Sequence, residues 1–181
     1  MEGLRYRGGD VPTIVPAIFR QTRVGAFGRP FTVLKFRSMV QDAEHKGTGL
    51  AVMQDDDRIT RAGRILRRLS LDELPQLLNV VRGDMSLVGP RPTVPSQVER
   101  YDATQRRRLL ARPGLTGLAQ VRGRASIPWS ERIRLDVQYV DDWSMALDFR
   151  IMLETVRVIV RGEGQYRDEQ GGFDLAGGAN G

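Results

Sequence analysis

The sequence predicts a helix-dominated α/β domain of the α+β kind, with a short sheet or hairpin near residues 18–37. Three observations predict it. Apolar residues recur at helical spacing in residues 58–69, 74–81 and 148–161. Residues 18–37 form two extended runs around the turn AFGRP. The 181 residues suffice for one packed core and are too few for two. The expected organisation is an irregular lead-in over 1–15, one compact domain over 16–161, and a Gly-rich polar tail over 162–181 expected to be disordered.

In the hairpin, alternation places Phe31, Val33, Lys35 and Arg37 on one face of the second strand and Thr32, Leu34, Phe36 and Ser38 on the other. Lys35 and Arg37 would then project side by side, about 6–7 Å apart. Residues 40–57 read as a loop or short helix followed by a loop, with His45 at the surface. The run Asp55-Asp56-Asp57 has the residue type to ligate a cation, but a solvated turn is the expected reading. In residues 58–69, Arg61, Arg64 and Arg68 share one helical face while Ile65 and Leu69 share another. Such a face suits phosphates or lipid headgroups, and it is also the ordinary pattern of a solvated helix.

Residues 70–92, SLDELPQLLNVVRGDMSLVGPRP, carry an adjacent acid pair, Asp72-Glu73. Ser70 and Glu73 have capping-box spacing, but that register puts Pro75 where its missing N–H would be needed. Asp72 as N-cap removes the conflict and is the expected start. Leu74, Leu77, Leu78 and Val81 then form one apolar face. The positive helix end would keep both acids ionised and attract phosphate. Two carboxylates beside Arg61, Arg64, Arg67 and Arg68 fit a site for a phosphorylated ligand with a divalent metal. Taken alone, the pair is more often a plain helix cap than a site.

Residues 94–111 read as one charged helix stopping before Pro113-Gly114. RPGLTGLAQVRGR reads as a Gly- and Arg-rich loop whose backbone can approach a ligand, and residues 128–142 as another helix. Residues 148–161 are the clearest amphipathic helix, with Phe149, Met152, Leu153, Val156, Ile159 and Val160 on the apolar face. Core packing is the expected use of that face, an interfacial role the alternative.

Composition narrows the chemistry. There is no cysteine and one histidine, so thiol nucleophiles, Cys-based zinc sites and multi-histidine sites are excluded. The net charge of +6 is carried almost wholly by arginine, Lys35 and Lys46 being the lysines. Arginine forks match phosphates bidentately. A nucleic-acid partner is not expected, because the basic residues are dispersed and no binding motif or base-stacking aromatic pattern appears. No apolar run approaches the roughly 18–20 residues of a membrane span.

Three blocks in order, RQTRVGAFGRPFTVLKFRSM, DRITRAGRILRRLSLDELPQLLNVVRGDMSLVGPRP and RPGLTGLAQVRGR, followed by YVDDWSMALDFRIMLETVRVIV, resemble the bacterial sugar transferases, the monotopic polyprenyl-phosphate phosphoglycosyl transferases. The resemblance covers about residues 16–161. It implies transfer of a phospho-sugar from a UDP-sugar to polyprenyl phosphate at the cytoplasmic face of the cell membrane, an early step of exopolysaccharide assembly. It implies a catalytic dyad on Asp72 and Glu73, with Asp72 forming a covalent phosphosugar intermediate. Mg2+ is the implied cofactor, held by the dyad, chiefly Glu73. Lys35, Arg37, Arg91 and Arg112 are the implied phosphate-binding residues, and Gln120, Arg122 and Arg124 the implied contacts to nucleotide or sugar. Family members carry an apolar re-entrant segment before the first block. The fifteen mixed residues before Pro16 do not form one, so the sequence expectation is peripheral attachment or an anchor supplied elsewhere. The alternatives are an inactive or partner-dependent scaffold of a polysaccharide assembly complex, which the missing anchor favours and the intact Asp72-Glu73 pair opposes, and a basic nucleic-acid-binding module built on the arginine helices.

Overall fold

The computed structural model describes residues 16–43, 56–123 and 126–161. The expectations for the lead-in, His45, Asp55, Arg124 and the tail lie outside the described residues. The predicted hairpin is present: β1 (Ile18–Val24) pairs antiparallel with β2 (Pro30–Phe36), Ile18 opposite Phe36 and Val24 opposite Pro30. A single 3-10 turn, Ala26–Gly28, joins them, with Phe27 and Gly28 both at positive φ. The other elements are α1 (Arg61–Arg68), α2 (Gln76–Val81), β3 (Ser86–Val88), α3 (Pro95–Val98), α4 (Ala103–Arg106), β4 (Gly114–Thr116), α5 (Leu118–Arg122), α6 (Trp129–Asp141) and α7 (Met145–Arg161). Short β3 and β4 run parallel, Ser86 opposite Gly114 and Val88 opposite Thr116.

The helix α6 is the shared wall of the core. Its Ile133 and Val137, one turn apart, pack with Val24, Val98 and Tyr101, while Leu135 and Tyr139 pack with Val88, Leu118, Ala119 and Ile151. Burial of these side chains stabilises the domain by about 1.5–3 kcal/mol each relative to exposure. Where β3 and β4 lead into their loops the backbones nearly touch. A Cβ on Gly89 would lie 2.3 Å from the Arg112 carbonyl oxygen, and one on Gly117 would lie 2.1 Å from that of Gly89. Only glycine permits this approach, and it pins the Gly-Pro-Arg-Pro segment against β4.

Several expectations need correction. Residues 94–111 are not one helix. The chain breaks between α3 and α4, where Asp102 and Gln105 form a reciprocal capping box, and α4 continues as a 3-10 turn, Arg107–Leu110. The RPGLTGLAQVRGR segment is not a loop: it supplies β4 and α5. Asp56 is neither solvated nor a cation ligand. It is buried, accepting from the backbone N–H of Arg58 at 3.0 Å and from Arg58 Nε at 2.8 Å, while Arg58 NH1 donates to the Ala43 carbonyl at 2.7 Å. The Arg58–Ala43 hydrogen bond ties the chain around Ala43 to the Asp56–Arg58 turn.

The largest correction concerns the amphipathic helices. In α2 the polar side chains are inside and the apolar ones outside. Gln76 and Asn79 are buried, whereas Leu77, Leu78 and Val81, with Leu74 just before them, are exposed. Asn79 explains its own burial. Its Oδ1 accepts from the Leu34 N–H at 3.1 Å and its Nδ2 donates to the Thr32 carbonyl at 2.8 Å, so one carboxamide pairs with β2 as a neighbouring strand would. In α7 the expected core packing holds only in part, with Met152 packed against the buried cluster. Ile151 is buried, but Phe149, Leu153, Val156 and Val160 are all more than half exposed, as are Ile65 in α1 and Val81. No helix among the described residues is long and apolar enough to cross a membrane.

Candidate active site

The acid pair does not begin a helix in the expected way. Leu69 ends α1, Ser70 turns the chain at φ 54, and Leu71–Glu73 form a 3-10 turn before α2. Asp72 is therefore not an N-cap. Pro75 precedes α2 as its N-cap, where a missing N–H costs nothing. A left-handed serine is an uncommon conformation, and it brings Asp72 back under the end of β2.

Both cations that reach the pair converge on one oxygen. Lys35 Nζ lies 3.3 Å from Glu73 Oε1, and Arg91 NH2 donates to the same atom at 2.7 Å. β2 aims Lys35, and the Pro90-Arg91-Pro92 segment aims Arg91. Burial opposes the charge on Glu73, but Arg91 and Lys35 outweigh it and hold the carboxyl well below the usual carboxylate range. Burial lowers Lys35 to about 8, with Glu73 working the other way and Arg91 adding to the depression. Burial also raises Asp72, and the Glu73 charge raises it further, against the pull of Lys35, Arg67 and Arg91. No described residue donates a hydrogen bond to Asp72 or pairs with it within salt-bridge distance. The two neighbours thus differ in kind. Glu73 is clamped and ionised; Asp72 is desolvated and uncommitted.

A cavity of about 400 Å³ opens beside the dyad. Glu73, Arg91 and Ser70 stand at one side, Leu115, Thr116 and Gln120 at another, and α7 closes it with Met152, Thr155 and Ile159. Gln120 is buried. Its Nε2 donates to the Leu115 carbonyl at 3.2 Å and its Oε1 lies near Gly117 without a partner. Of the sequence-derived candidates, Asp72, Glu73, Lys35 and Arg91 come together, and Gln120 lines the adjoining cavity. Arg37 is engaged elsewhere. Its Nε donates to the Pro16 carbonyl at 2.9 Å and its guanidinium lies over the Phe19 ring. Arg112 and Arg122 are exposed and do not line this cavity.

Of the four arginines the sequence sets beside the acids, Arg67 acts on Asp72 while its Nε donates to Ser38 Oγ at 2.9 Å. Sequence reasoning missed the Thr116–Thr155 hydroxyl contact of 2.7 Å on the cavity wall. A lone threonine interrupting the α7 apolar pattern was the available signal for Thr155. Nothing local marks Arg67 among its arginine neighbours.

The dyad also fits a magnesium ion. Oε1 of Glu73 takes both cations, leaving Oε2 with its lone pairs, and Asp72 adds a second carboxylate. No cluster of three or more His, Cys, Asp or Glu exists among the described residues. Mg2+ typically binds through one or two carboxylates plus substrate phosphates and water, so two acids suffice.

Known proteins resemble the chain over most of its length. The chain is 48% identical to the uncharacterized sugar transferase EpsL of Bacillus subtilis over 82% of its length and 72% of that protein. It is 49% identical to the UDP-glucose:undecaprenyl-phosphate glucose-1-phosphate transferase of Caulobacter vibrioides, over 83% of this chain and 59% of the relative. It is 42% identical to the undecaprenyl-phosphate galactose phosphotransferase of Salmonella typhimurium, over 83% of this chain and 35% of the relative. The chain thus spans about a third to three quarters of the length of these proteins. Residues 10–162 match the family described as bacterial sugar transferase, and the chain belongs to that family.

Proposed function

We propose that this chain transfers a phospho-sugar from a UDP-sugar to polyprenyl phosphate, with Asp72 as nucleophile. The observation that carries this reading is the split character of the acid pair. Glu73 is held ionised by Lys35 and Arg91, while Asp72 lies beside them without a hydrogen bond. A carboxylate is a weak nucleophile toward an anionic diphosphate, so it needs cations nearby and few bonds on its own lone pairs. A carboxylate oxygen of Asp72 attacks the sugar-bearing phosphorus. The bond from that phosphorus to the bridging oxygen breaks, and UMP leaves with the electron pair. An oxygen of polyprenyl phosphate then attacks the same phosphorus, the acyl-phosphate bond breaks, and Asp72 returns to its starting form. Lys35 and Arg91 orient the diphosphate and offset its charge. Magnesium, held by Glu73 and Asp72, supplies further neutralisation of the phosphates when bound.

The acceptor is a lipid, and the exposed apolar residues on α1, α2 and α7 support attachment to a membrane surface. Leu69 and Ile65 stand beside Arg61, Arg64 and Arg68, the arrangement of an interfacial helix on anionic lipid. We place the protein at the cytoplasmic face of the cell membrane, without a nucleic-acid partner. Flotation with anionic liposomes, weakened by salt, is the expected result, and absence of flotation would oppose it.

The direct test is UMP release from a panel of UDP-sugars with magnesium and undecaprenyl phosphate in detergent. Release requiring lipid and magnesium, and lost in Asp72→Asn and Glu73→Gln, is expected. No release from folded protein across the panel would reject the transferase reading.

A further inference from the structure

We infer that the cavity between the dyad turn and α7 holds the phosphate-proximal isoprene units of the lipid acceptor, so that the chain enters sideways from the exposed apolar faces. This rests on the transferase reading above. Its volume of about 400 Å³ lies within the range of small-molecule sites, about 300–1,000 Å³.

The wall chemistry selects the occupant. Leu71, Leu87, Leu115, Val121, Met152 and Ile159 make most of the surface, and no aromatic residue lines it on which a nucleobase would stack. The two threonines that line it have their hydroxyls paired with each other. Thr116 and Thr155 are in contact, and Thr155 Oγ1 donates to the Ile151 carbonyl at 2.7 Å. The Gln120 amide nitrogen is likewise occupied by the Leu115 carbonyl. Apart from Gln120 Oε1, these polar groups are paired, and away from the dyad end they leave a mainly aliphatic surface that suits a hydrocarbon better than a nucleoside.

Both ends of the cavity match a lipid phosphate. Arg91 stands at the dyad end, giving a cation where the acceptor phosphate must meet Asp72-bound phosphorus. Leu69, Leu74 and Leu87 line the cavity and are also about half exposed, so the aliphatic lining continues without a polar rim onto the outer apolar surface. Val158 and Ile159 extend the same lining along α7, whose outward Leu153, Val156 and Val160 are exposed. A closed pocket for a water-borne nucleotide would not open onto such a surface. A groove loaded from a bilayer would.

Filling the groove tests the assignment. Met152→Trp and Thr155→Phe, each confirmed folded by its melting temperature, are expected to raise KM for undecaprenyl phosphate at least about tenfold, the change that ~1.4 kcal/mol of lost apolar contact produces. KM for the UDP-sugar should move far less. A larger rise in the donor KM, or no change in either, would overturn the assignment. A polyprenyl phosphate carrying a photoreactive group on its first isoprene gives a second readout that needs no turnover. Crosslinks to the β4–α5 segment or α7, competed by undecaprenyl phosphate, are expected; crosslinks confined to other segments would overturn it. An inactive protein that still crosslinks there would reject the transferase reading and leave the groove standing.

Discussion

Asp136 and Asp72 are both buried beside arginines and both raised by burial, yet they are bonded in opposite ways. Asp136 on α6 meets Arg108, whose NH2 also donates to the Arg91 carbonyl at 2.8 Å and whose NH1 donates to the Tyr101 hydroxyl at 2.7 Å. Burial opposes the Arg108 charge, and Asp136 more than offsets that. Asp72 has Lys35, Arg67 and Arg91 in range of its charge but no hydrogen bond from any described residue. A charge tied into a network fixes the backbone around it. A charge left near cations but unbonded keeps its lone pairs for a ligand. The contrast separates scaffold from chemistry within one small domain.

The comparison predicts different losses. Asp72→Asn should cut UMP release by on the order of 10⁴-fold or more, as removal of a nucleophile does in other enzymes. Its melting temperature should not fall. The folded carboxyl is raised, so its stability contribution is present below the unfolded pKa and lost as pH climbs through the folded one; at neutral pH the neutral amide is no worse. Asp136→Ala should instead lower the unfolding free energy by about 3–5 kcal/mol in urea titration, because Arg108 is left buried and unpaired. Equal stability loss in the two variants would erase the distinction.

Arg91 belongs to both regions, its guanidinium on Glu73 and its carbonyl on Arg108. Arg91→Lys keeps the charge and loses the fork, so kcat/KM should fall about ten- to hundredfold, from charge-assisted bonds worth about 1.5–3 kcal/mol. The folded state should be retained. The smallest effect is pH-dependent. Lys35 loses its proton near pH 8, so activity should decline above that value in the wild type and lose this decline in Lys35→Met. Between about 8 and the unfolded value of 10.5 the unfolded chain binds more protons, so wild-type stability should rise with pH relative to Lys35→Met. Parallel stability curves would remove Lys35 from the titrating site.

Where local pattern sets the structure, the sequence was legible. The hairpin, α6 and the span of α7 follow from alternation and helical spacing, and the acid pair stood out beside its arginines. What failed depended on neighbours the sequence does not display. The 94–111 stretch has a helical composition but is cut by a capping box at Asp102. Phe149 was read as core, and the exposure of Leu77 and Leu78 was not foreseen, because periodicity reports an apolar face and not what covers it. Arg91 came from the resemblance of its Gly-Pro-Arg-Pro block, whereas singling out Arg67 among its neighbours needed the folded path of Ser38 beside α1.

Asn79 joins two things otherwise unrelated. It has no exposed surface, and its carboxamide grips β2 at Thr32 and Leu34, one residue before Lys35. Its helix, α2, presents leucines outward. The helix and the strand are therefore joined at that rivet, so a shift of α2 would reach the backbone that carries Lys35.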